Sequence, residues 1–254
     1  MSELAISLIA FVLIVGGMIC GMVIRSFLPE HHLSEESKDA VKLGVGTIAT
    51  MAALVLGLLI ASAKSTFDAM NNGIRELSSR VILLDRVMAH YGPEMKEARA
   101  LLRLGVVSAI QRRWPEDQIA PETGKASEEW VGVEIIQDKL RQLCPQTEAH
   151  RLLLERAWQV SGEIAEARWL LVAQVGSRSI PMPFLGILIG WLALIFTSFG
   201  LLSPRNLTVI TILFVCAVST AGALFLILEM DAPYEGLLKI SSAPLHTALT
   251  YLSR

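Results

Sequence analysis

The sequence predicts an all-α protein with four membrane-spanning helices and a cytoplasmic helical bundle inserted between spans two and three. Of its 254 residues, 53% are hydrophobic and only 18% are charged, whereas soluble domains carry about a quarter charged residues. The charges are almost absent from four apolar stretches of about 20 residues each, the length that crosses a bilayer. Between the second and third stretches, apolar residues recur at helical spacing.

The four predicted spans are residues 4–24, 43–63, 184–202 and 207–228. Backbone groups inside a bilayer must satisfy their own hydrogen bonds, so each span is expected to be a helix. No basic residue precedes the first span, which therefore favours a retained helix over a cleaved signal peptide. Only four residues separate spans three and four, and Pro204 and Asn206 among them indicate a tight turn.

The charged region that follows span two has an apolar seam whose members are spaced alternately by three and four residues, as in packed helices. The seam consists of Phe67, Met70, Ile74, Leu77, Val81, Leu84 and Met88. It starts directly after span two, so we expect one continuous helix that ends near residues 91–93. Three more helices are expected over residues 94–113, 127–143 and 147–175.

These segments predict four regions. They are transmembrane helices 1 and 2 (1–63), a cytoplasmic bundle (64–182), a transmembrane hairpin (183–228) and a cytoplasmic C-terminal segment (229–254). Four crossings place both termini and the bundle on one side of the membrane. Lys and Arg near the span ends favour the cytoplasm for that side.

Several functions are not expected from this sequence. The net charge of -2 does not suggest a nucleic-acid partner. No phosphate-binding glycine loop, metal-ligand pattern or nucleophile elbow is recognisable. Cys20, Cys144 and Cys216 are interpreted as small apolar fillers, because their spacing gives neither a disulfide framework nor a zinc site. We therefore predict no catalytic residue, no cofactor and no metal, and do not expect an enzyme.

Span two is the most unusual of the four. One of its faces carries small residues, which let helices approach closely. An adjacent face is largely apolar, and in a ring of identical subunits it would form a narrow constriction that gates ions by dewetting. The small face is Gly46, Thr50, Ala53, Gly57 and Ala61, and the adjacent face is Thr47, Met51, Leu54 and Leu58. Helix packing and a pore lining remain open for this span.

Three further features carry candidate residues. Lys64 ends span two, either as an interfacial anchor or as a positive ring that favours anions at a pore mouth. His31 and His32 are adjacent and therefore poor chelators, but a ring of them could sense pH. The exit motif of span four contains Glu229, Asp231, Pro233 and Gly236. Its acids either mark the interface and stop the helix, or pair with basic residues of the bundle.

Three motifs resemble a bacterial family of unknown function that is called bestrophin-like. They are LPEHHL at 28–33, KLGVGTIATMAALVLGLLIASAK at 42–64 and EMDAPYEG at 229–236, and the resemblance covers essentially the whole chain. The layout is also similar to that of bestrophin anion channels, which have four membrane helices, cytosolic termini and a pore lined by the second span in a pentamer. Span two here has no phenylalanine, where the animal channels have aromatic rings.

Three functions are compatible with these features. The leading hypothesis is a homo-oligomeric channel of the bacterial inner membrane, a pentamer by the resemblance, that lies in the lipid bilayer and passes an inorganic anion such as chloride. The second is a non-conducting scaffold or sensor whose bundle binds a partner through the seam. The third is a proton-driven motor or stator-like unit, suggested by the layout and by threonines in the last two spans, Thr197, Thr208, Thr211 and Thr220.

Overall fold

A computed structural model describes residues 3–29, 35–117, 132–175, 180–204, 206–234 and 236–253. Every regular element within these ranges is a helix, which confirms the all-α prediction for this part of the chain. A short 3₁₀ turn, Pro93–Met95, separates the second helix from the third. The α-helices are α1 (Glu3–Phe27), α2 (Glu35–Tyr91), α3 (Lys96–Arg113), α4 (Val133–Arg141), α5 (Glu148–Val175), α6 (Met182–Leu202), α7 (Leu207–Asp231) and α8 (Ala243–Leu252).

Four of these helices, α1, α2, α6 and α7, are long and apolar enough to cross a membrane. The four predicted spans lie within them, so the number and position of the spans are confirmed as candidate membrane helices. Helix α2 has 57 residues and ends at Tyr91, as the seam predicted. The chain is therefore a membrane protein, because surfaces as apolar as these require a lipid environment.

The chain divides into two compact units. We call residues 1–67 with 178–238 the apolar unit, and residues 68–177 with 239–254 the charged unit. Helix α2 contributes to both, and its boundary falls after Phe67. The last 16 residues, 239–254, belong to the charged unit. The division into membrane and cytoplasmic regions stays a prediction.

In the apolar unit, α1 packs against α6 and α7. Its buried residues, such as Ile14 with none of its surface exposed, join one apolar cluster with residues of α2, α6 and α7. Near the end of α1, Arg25 donates a hydrogen bond to the carbonyl of Ser203, which follows the last residue of α6. Helices α1 and α6 therefore run in the same direction, as the first and third of four alternating spans must.

The hairpin between α6 and α7 has the predicted turn chemistry. The side chain of Asn206 accepts a hydrogen bond from the backbone N–H of Val209 at 3.0 Å and caps the start of α7. Such a cap satisfies one of the amide groups that a helix leaves without a partner in its first turn. At the other end of α6, Pro181 is the N-cap and Pro183 lies in the first turn, where a missing N–H costs nothing.

In the charged unit, five of the seven predicted seam residues of α2 are buried. Met70, Ile74, Val81, Leu84 and Met88 are each 3% exposed or less. They share this unit's interior with buried residues of the other helices, among them Leu102, Ile110, Ile136, Leu140, Val160, Ile164 and Leu252. The seam is therefore covered by the chain's own helices.

The end of α2 depends on a glycine. Gly92 has a φ of 131°, a backbone conformation that residues with a side chain rarely adopt. Pro93 follows and cannot continue the helix. Together they reverse the chain into the 3₁₀ turn and α3, which begins two residues later than the predicted helix.

Two predictions for the charged unit need correction or addition. The helix expected from residue 127 begins at Val133, because Gly132 takes an extended conformation and acts as its N-cap. Residues 118–131 lie outside the described residues. The C-terminal segment also contains α8, which was not predicted because only ten residues form it. Residues before and within α8 contact the rest of the charged unit. For example, the Trp114 indole N–H donates a hydrogen bond to the Ile240 carbonyl at 2.8 Å.

Candidate functional site

The apolar face of α2 is uncovered in the single chain. Met51, Leu54 and Leu58 are 51%, 71% and 68% exposed, and Thr47 is exposed beside them. The Thr47 hydroxyl donates to the carbonyl of Leu43 at 3.1 Å, so its hydrogen-bonding need is met within the helix. This face is therefore a continuous surface for lipid or for another copy of the chain.

The opposite side of α2 explains why this face points outward. Val45, Ala52, Leu59 and Ala63 are 8% exposed or less and belong to the core of the apolar unit. Their spacing of seven, seven and four residues keeps them on one side of a helix with 3.6 residues per turn. Burial of this side leaves the predicted pore-lining residues on the far side.

The small-residue face is also exposed. Gly46, Thr50, Ala53, Gly57 and Ala61 all lie at the surface of the chain. A Cβ atom added at Gly46 or at Gly57 would meet no described atom within 4 Å. Close helix packing through this face is thus not found among the described residues of one chain. The assignment of the face to helix packing stays a prediction, and a second copy would have to supply the partner.

Lys64 lies on the line of the small face. It is seven residues after Gly57, which is nearly two turns, and roughly 100° around the helix from Leu54 and Leu58. Its side chain is exposed, and its ammonium group lies 6.0 Å from the centre of the Phe67 ring. A long, flexible lysine in this position can reach either a pore mouth or the lipid headgroups.

A close contact between α1 and α6 in the apolar unit was not predicted from the sequence. A Cβ added at Gly17 would lie 2.7 Å from the Ala193 carbonyl oxygen, and one added at Gly21 would overlap the Thr197 carbonyl. Across the contact, a Cβ at Gly200 would overlap the backbone of α1. The signal was available, since Gly17 and Gly21 are four residues apart, the spacing by which membrane helices approach closely.

The exit motif of span four forms a defined loop anchor. Glu229 is only 4% exposed, and its carboxylate accepts backbone N–H hydrogen bonds from Leu237 at 2.5 Å and Leu238 at 3.2 Å. Gly236 has a φ of 82°, and a Cβ there would overlap this carboxylate. In the part of the chain that the structure describes, backbone amides hold Glu229. This loop explains the spacing between Glu229 and Gly236 in the motif.

The other members of the motif have smaller roles. Pro233 is buried and Asp231 is half-buried, and both lie between the end of the helix and the amides that Glu229 binds. The remaining candidate pair, His31 and His32, lies outside the described residues, so its pH-sensing role stays a prediction.

The charged unit contains two polar clusters that sequence analysis did not identify. Asp85 is fully buried, and Arg99 donates to both of its oxygens at 2.7 and 3.1 Å. This hydrogen bond raises the pKa of Arg99 despite its partial burial. The pair is a fixed structural contact between α2 and α3, because both carboxylate oxygens are occupied.

The second cluster holds the C-terminal segment. Asp117 accepts a hydrogen bond from the Ser242 hydroxyl at 2.5 Å and lies 3.2 Å from Nε2 of His246. These two contacts lower the pKa of the Asp117 carboxyl. In the part of the chain that the structure describes, no three His, Cys, Asp or Glu side chains are grouped to bind a metal ion.

Comparison with known proteins gives one result. A family model described as the bestrophin-like domain matches residues 11–245, which is more than nine-tenths of the chain. The chain belongs to the bestrophin-like family. This confirms the family that the three sequence motifs indicated. No curated protein and no solved structure matches the chain.

The family match spans both units of this bestrophin-like protein. It includes the exposed faces of α2, the glycine contact of α1 with α6, and the Glu229 anchor. Among these features, the two adjacent exposed faces of α2, one large and apolar and one small, make this helix the candidate functional site.

Proposed function

We propose that this bestrophin-like protein is a homo-oligomeric ion channel in which the first half of α2 lines the pore. The observation that carries the proposal is the pair of adjacent uncovered faces on α2, one large and apolar and one small. In a ring of copies, the small face of one α2 can lie against its neighbour while the large face points to the axis.

The apolar face would then form the narrowest part of the pore. Leu54 and Leu58 are the most exposed apolar residues of this face and lie one turn apart. A short ring of leucine side chains excludes water when narrow and conducts when widened, which is gating by dewetting. The hydroxyl of Thr47, the polar member of this face, already donates to its own helix.

The proposed permeant ion is an inorganic anion such as chloride. Lys64 supports this, since a ring of ammonium groups at one mouth raises the local anion concentration. The layout of bestrophin anion channels adds a pentamer as the expected assembly. The proposed function includes no catalysis and no cofactor.

We place the protein in the bacterial inner membrane, with both termini and the charged unit in the cytoplasm. The parallel course of α1 and α6 supports entry of these two helices from one side. The basic residues near the span ends favour the cytoplasm for that side.

Purified protein in planar bilayers tests the proposal. Leu58→Ala should widen the constriction and raise the conductance, and Leu58→Glu should hydrate it and hold it open. Leu8→Ala on α1 is the matched control, because Leu8 is 57% exposed but lies on another helix. Absence of wild-type currents, or equal currents in the Leu58 variants and wild type, would remove α2 from the pore.

The scaffold or sensor remains the second candidate, but its motivation is weaker. The seam that suggested it is covered within the charged unit, where Leu84 and Met88 have no exposed surface. A partner would have to bind another surface. For the stator-like unit, the hydroxyls of Thr197 and Thr220 donate to carbonyls of their own helices, so no observation favours a proton path through them.

A further inference from the structure

The apolar face of α2 continues to an acidic residue at the start of the helix. Glu36 and Leu54 are 18 residues apart, which is five turns of about 3.6 residues, so they point in the same direction. Thr47 and Leu58 are rotated from that direction by roughly 20° and 40°. Glu36 is exposed. The carboxylate of Glu36 therefore lies on the same side of α2 as the residues of the proposed constriction.

The neighbouring charges do not share this line. Glu35 is rotated from it by roughly 100° and is paired with Lys38 at 2.8 Å. Asp39 is paired with Lys42 at 2.9 Å. Among the residues that the structure describes, the ion pairs in this part of α2 do not include Glu36. Among the acidic residues at the start of α2, Glu36 is thus the one that points in the direction of the apolar face.

The position along the helix places Glu36 at a mouth and not inside the bilayer. It precedes Leu54 by about 27 Å and Leu58 by about 33 Å, at 1.5 Å per residue. The hydrocarbon core is about 30 Å thick. Glu36 also precedes the predicted start of the span by seven residues, so its carboxylate is expected outside the hydrocarbon core. It lies at the end of the span opposite Lys64.

We propose that Glu36 is a charge-selectivity determinant of this pore, forming an acidic ring at the mouth opposite Lys64. The inference rests on the proposed pore function. It goes beyond that function, because a carboxylate ring attracts cations and repels anions and therefore affects which ions pass. The two mouths then carry opposite charge, with Glu36 on the axis line and Lys64 on its flank. Such a channel passes current unequally in the two directions.

A helix start offers a simpler role for an acidic residue, which is to interact favourably with the helix dipole. Glu35 and Glu36 both lie in the first turn of α2 and share this role. They differ in the direction in which they point and in the pairing of Glu35 with Lys38. Glu35→Gln is therefore a matched control for Glu36→Gln.

The test measures the reversal potential in a KCl gradient across planar bilayers for wild type, Glu36→Gln, Glu35→Gln and Lys64→Gln. Glu36→Gln should raise the ratio of anion to cation permeability roughly threefold or more and reduce rectification. Lys64→Gln should lower that ratio. The Glu36 effect should shrink between about 0.1 M and 1 M salt, where the Debye length falls from about 10 Å to about 3 Å.

The outcomes separate the two proposals. Currents that respond to Leu58→Ala but keep the wild-type ion selectivity in Glu36→Gln would overturn the role of Glu36 and leave the pore intact. Equal shifts with Glu36→Gln and Glu35→Gln would also overturn it, because a general charge effect does not depend on direction. Absence of any wild-type current overturns both proposals.

Discussion

The two halves of α2 differ in how far their apolar side chains are covered. In the first half, Leu54 and Leu58 are about 70% exposed, whereas in the second half Leu84 and Met88 have no exposed surface. The backbone is the same uninterrupted helix in both. The proposed surroundings account for the difference, since a unit that lies in water has to cover its apolar seam. Within a bilayer, lipid or another copy can serve equally well.

This contrast teaches that exposure has different meanings along one helix. An uncovered leucine in water indicates a partner, because large exposed apolar patches are unfavourable there. An uncovered leucine in a membrane span carries no such penalty. What makes the first half of α2 unusual is therefore the small face beside the leucines, since small residues allow a close neighbour that lipid does not require.

The largest expected effect comes from substituting one leucine in each half. Leu84→Ala should lower the free energy of unfolding by about 3 kcal/mol, since it removes a fully buried side chain and leaves a cavity. Leu54→Ala should leave the stability of the single chain nearly unchanged and act on the assembled channel. Thermal unfolding of the detergent-solubilised protein, together with its oligomeric state, measures both. Equal destabilisation by the two substitutions would contradict the contrast.

A second test compares the small face of α2 with the glycines that pack within the chain. Gly21→Ala should destabilise the protein by about 2 kcal/mol, because the added methyl overlaps the Thr197 carbonyl and the two helices must separate. Gly16→Ala is the control on the same helix, since its Cβ meets no described atom within 4 Å. Thermal unfolding should distinguish them.

The same glycine-to-alanine substitution can be made on the small face of α2. Gly57→Ala should leave chain stability unchanged and weaken only the association between copies, which crosslinking in membranes would detect. If Gly57→Ala destabilised the isolated chain as much as Gly21→Ala, the small face would have a partner within the chain.

The smallest expected effect concerns the C-terminal segment of the charged unit. The Ser242 hydroxyl and His246 lower the pKa of Asp117 in the folded protein. The stabilisation is therefore complete above the ordinary aspartate pKa and is lost as the pH falls through the lowered pKa. Hydrogen exchange of α8 should accelerate below about pH 4. Asp117→Asn should remove this dependence, and an unchanged pH profile in that variant would exclude Asp117 as its source.

Much of the fold could be predicted because the pattern itself has a physical meaning. Four uncharged stretches of about 20 residues can form little else than membrane helices. The seam after span two continued the helical spacing without a break, so the length of α2 followed to within a turn. The start of α4 could not be predicted in the same way, because Gly132 interrupts a pattern that is otherwise compatible with helix.

The candidate site was predicted in part. The residues of both α2 faces were identified from their spacing, but spacing does not reveal which face the chain covers. The loop anchor at Glu229 was recognised as a motif without its mechanism, because backbone amides leave no trace in a sequence. Gly17 and Gly21 were present at a suitable spacing, and so were the small residues of α2. The sequence alone could not show which of the two sets makes a close helix contact within the chain.

The sequence by itself determined the family, the four spans and the continuity of α2, because local periodicity and apolar length decide these properties. Only the tertiary structure decided that α1 and α6 meet through glycines and that the two faces of α2 stay uncovered. It also decided that a buried carboxylate holds the loop after α7. These properties depend on which surfaces meet in space, and side chains distant in sequence compete for the same surface.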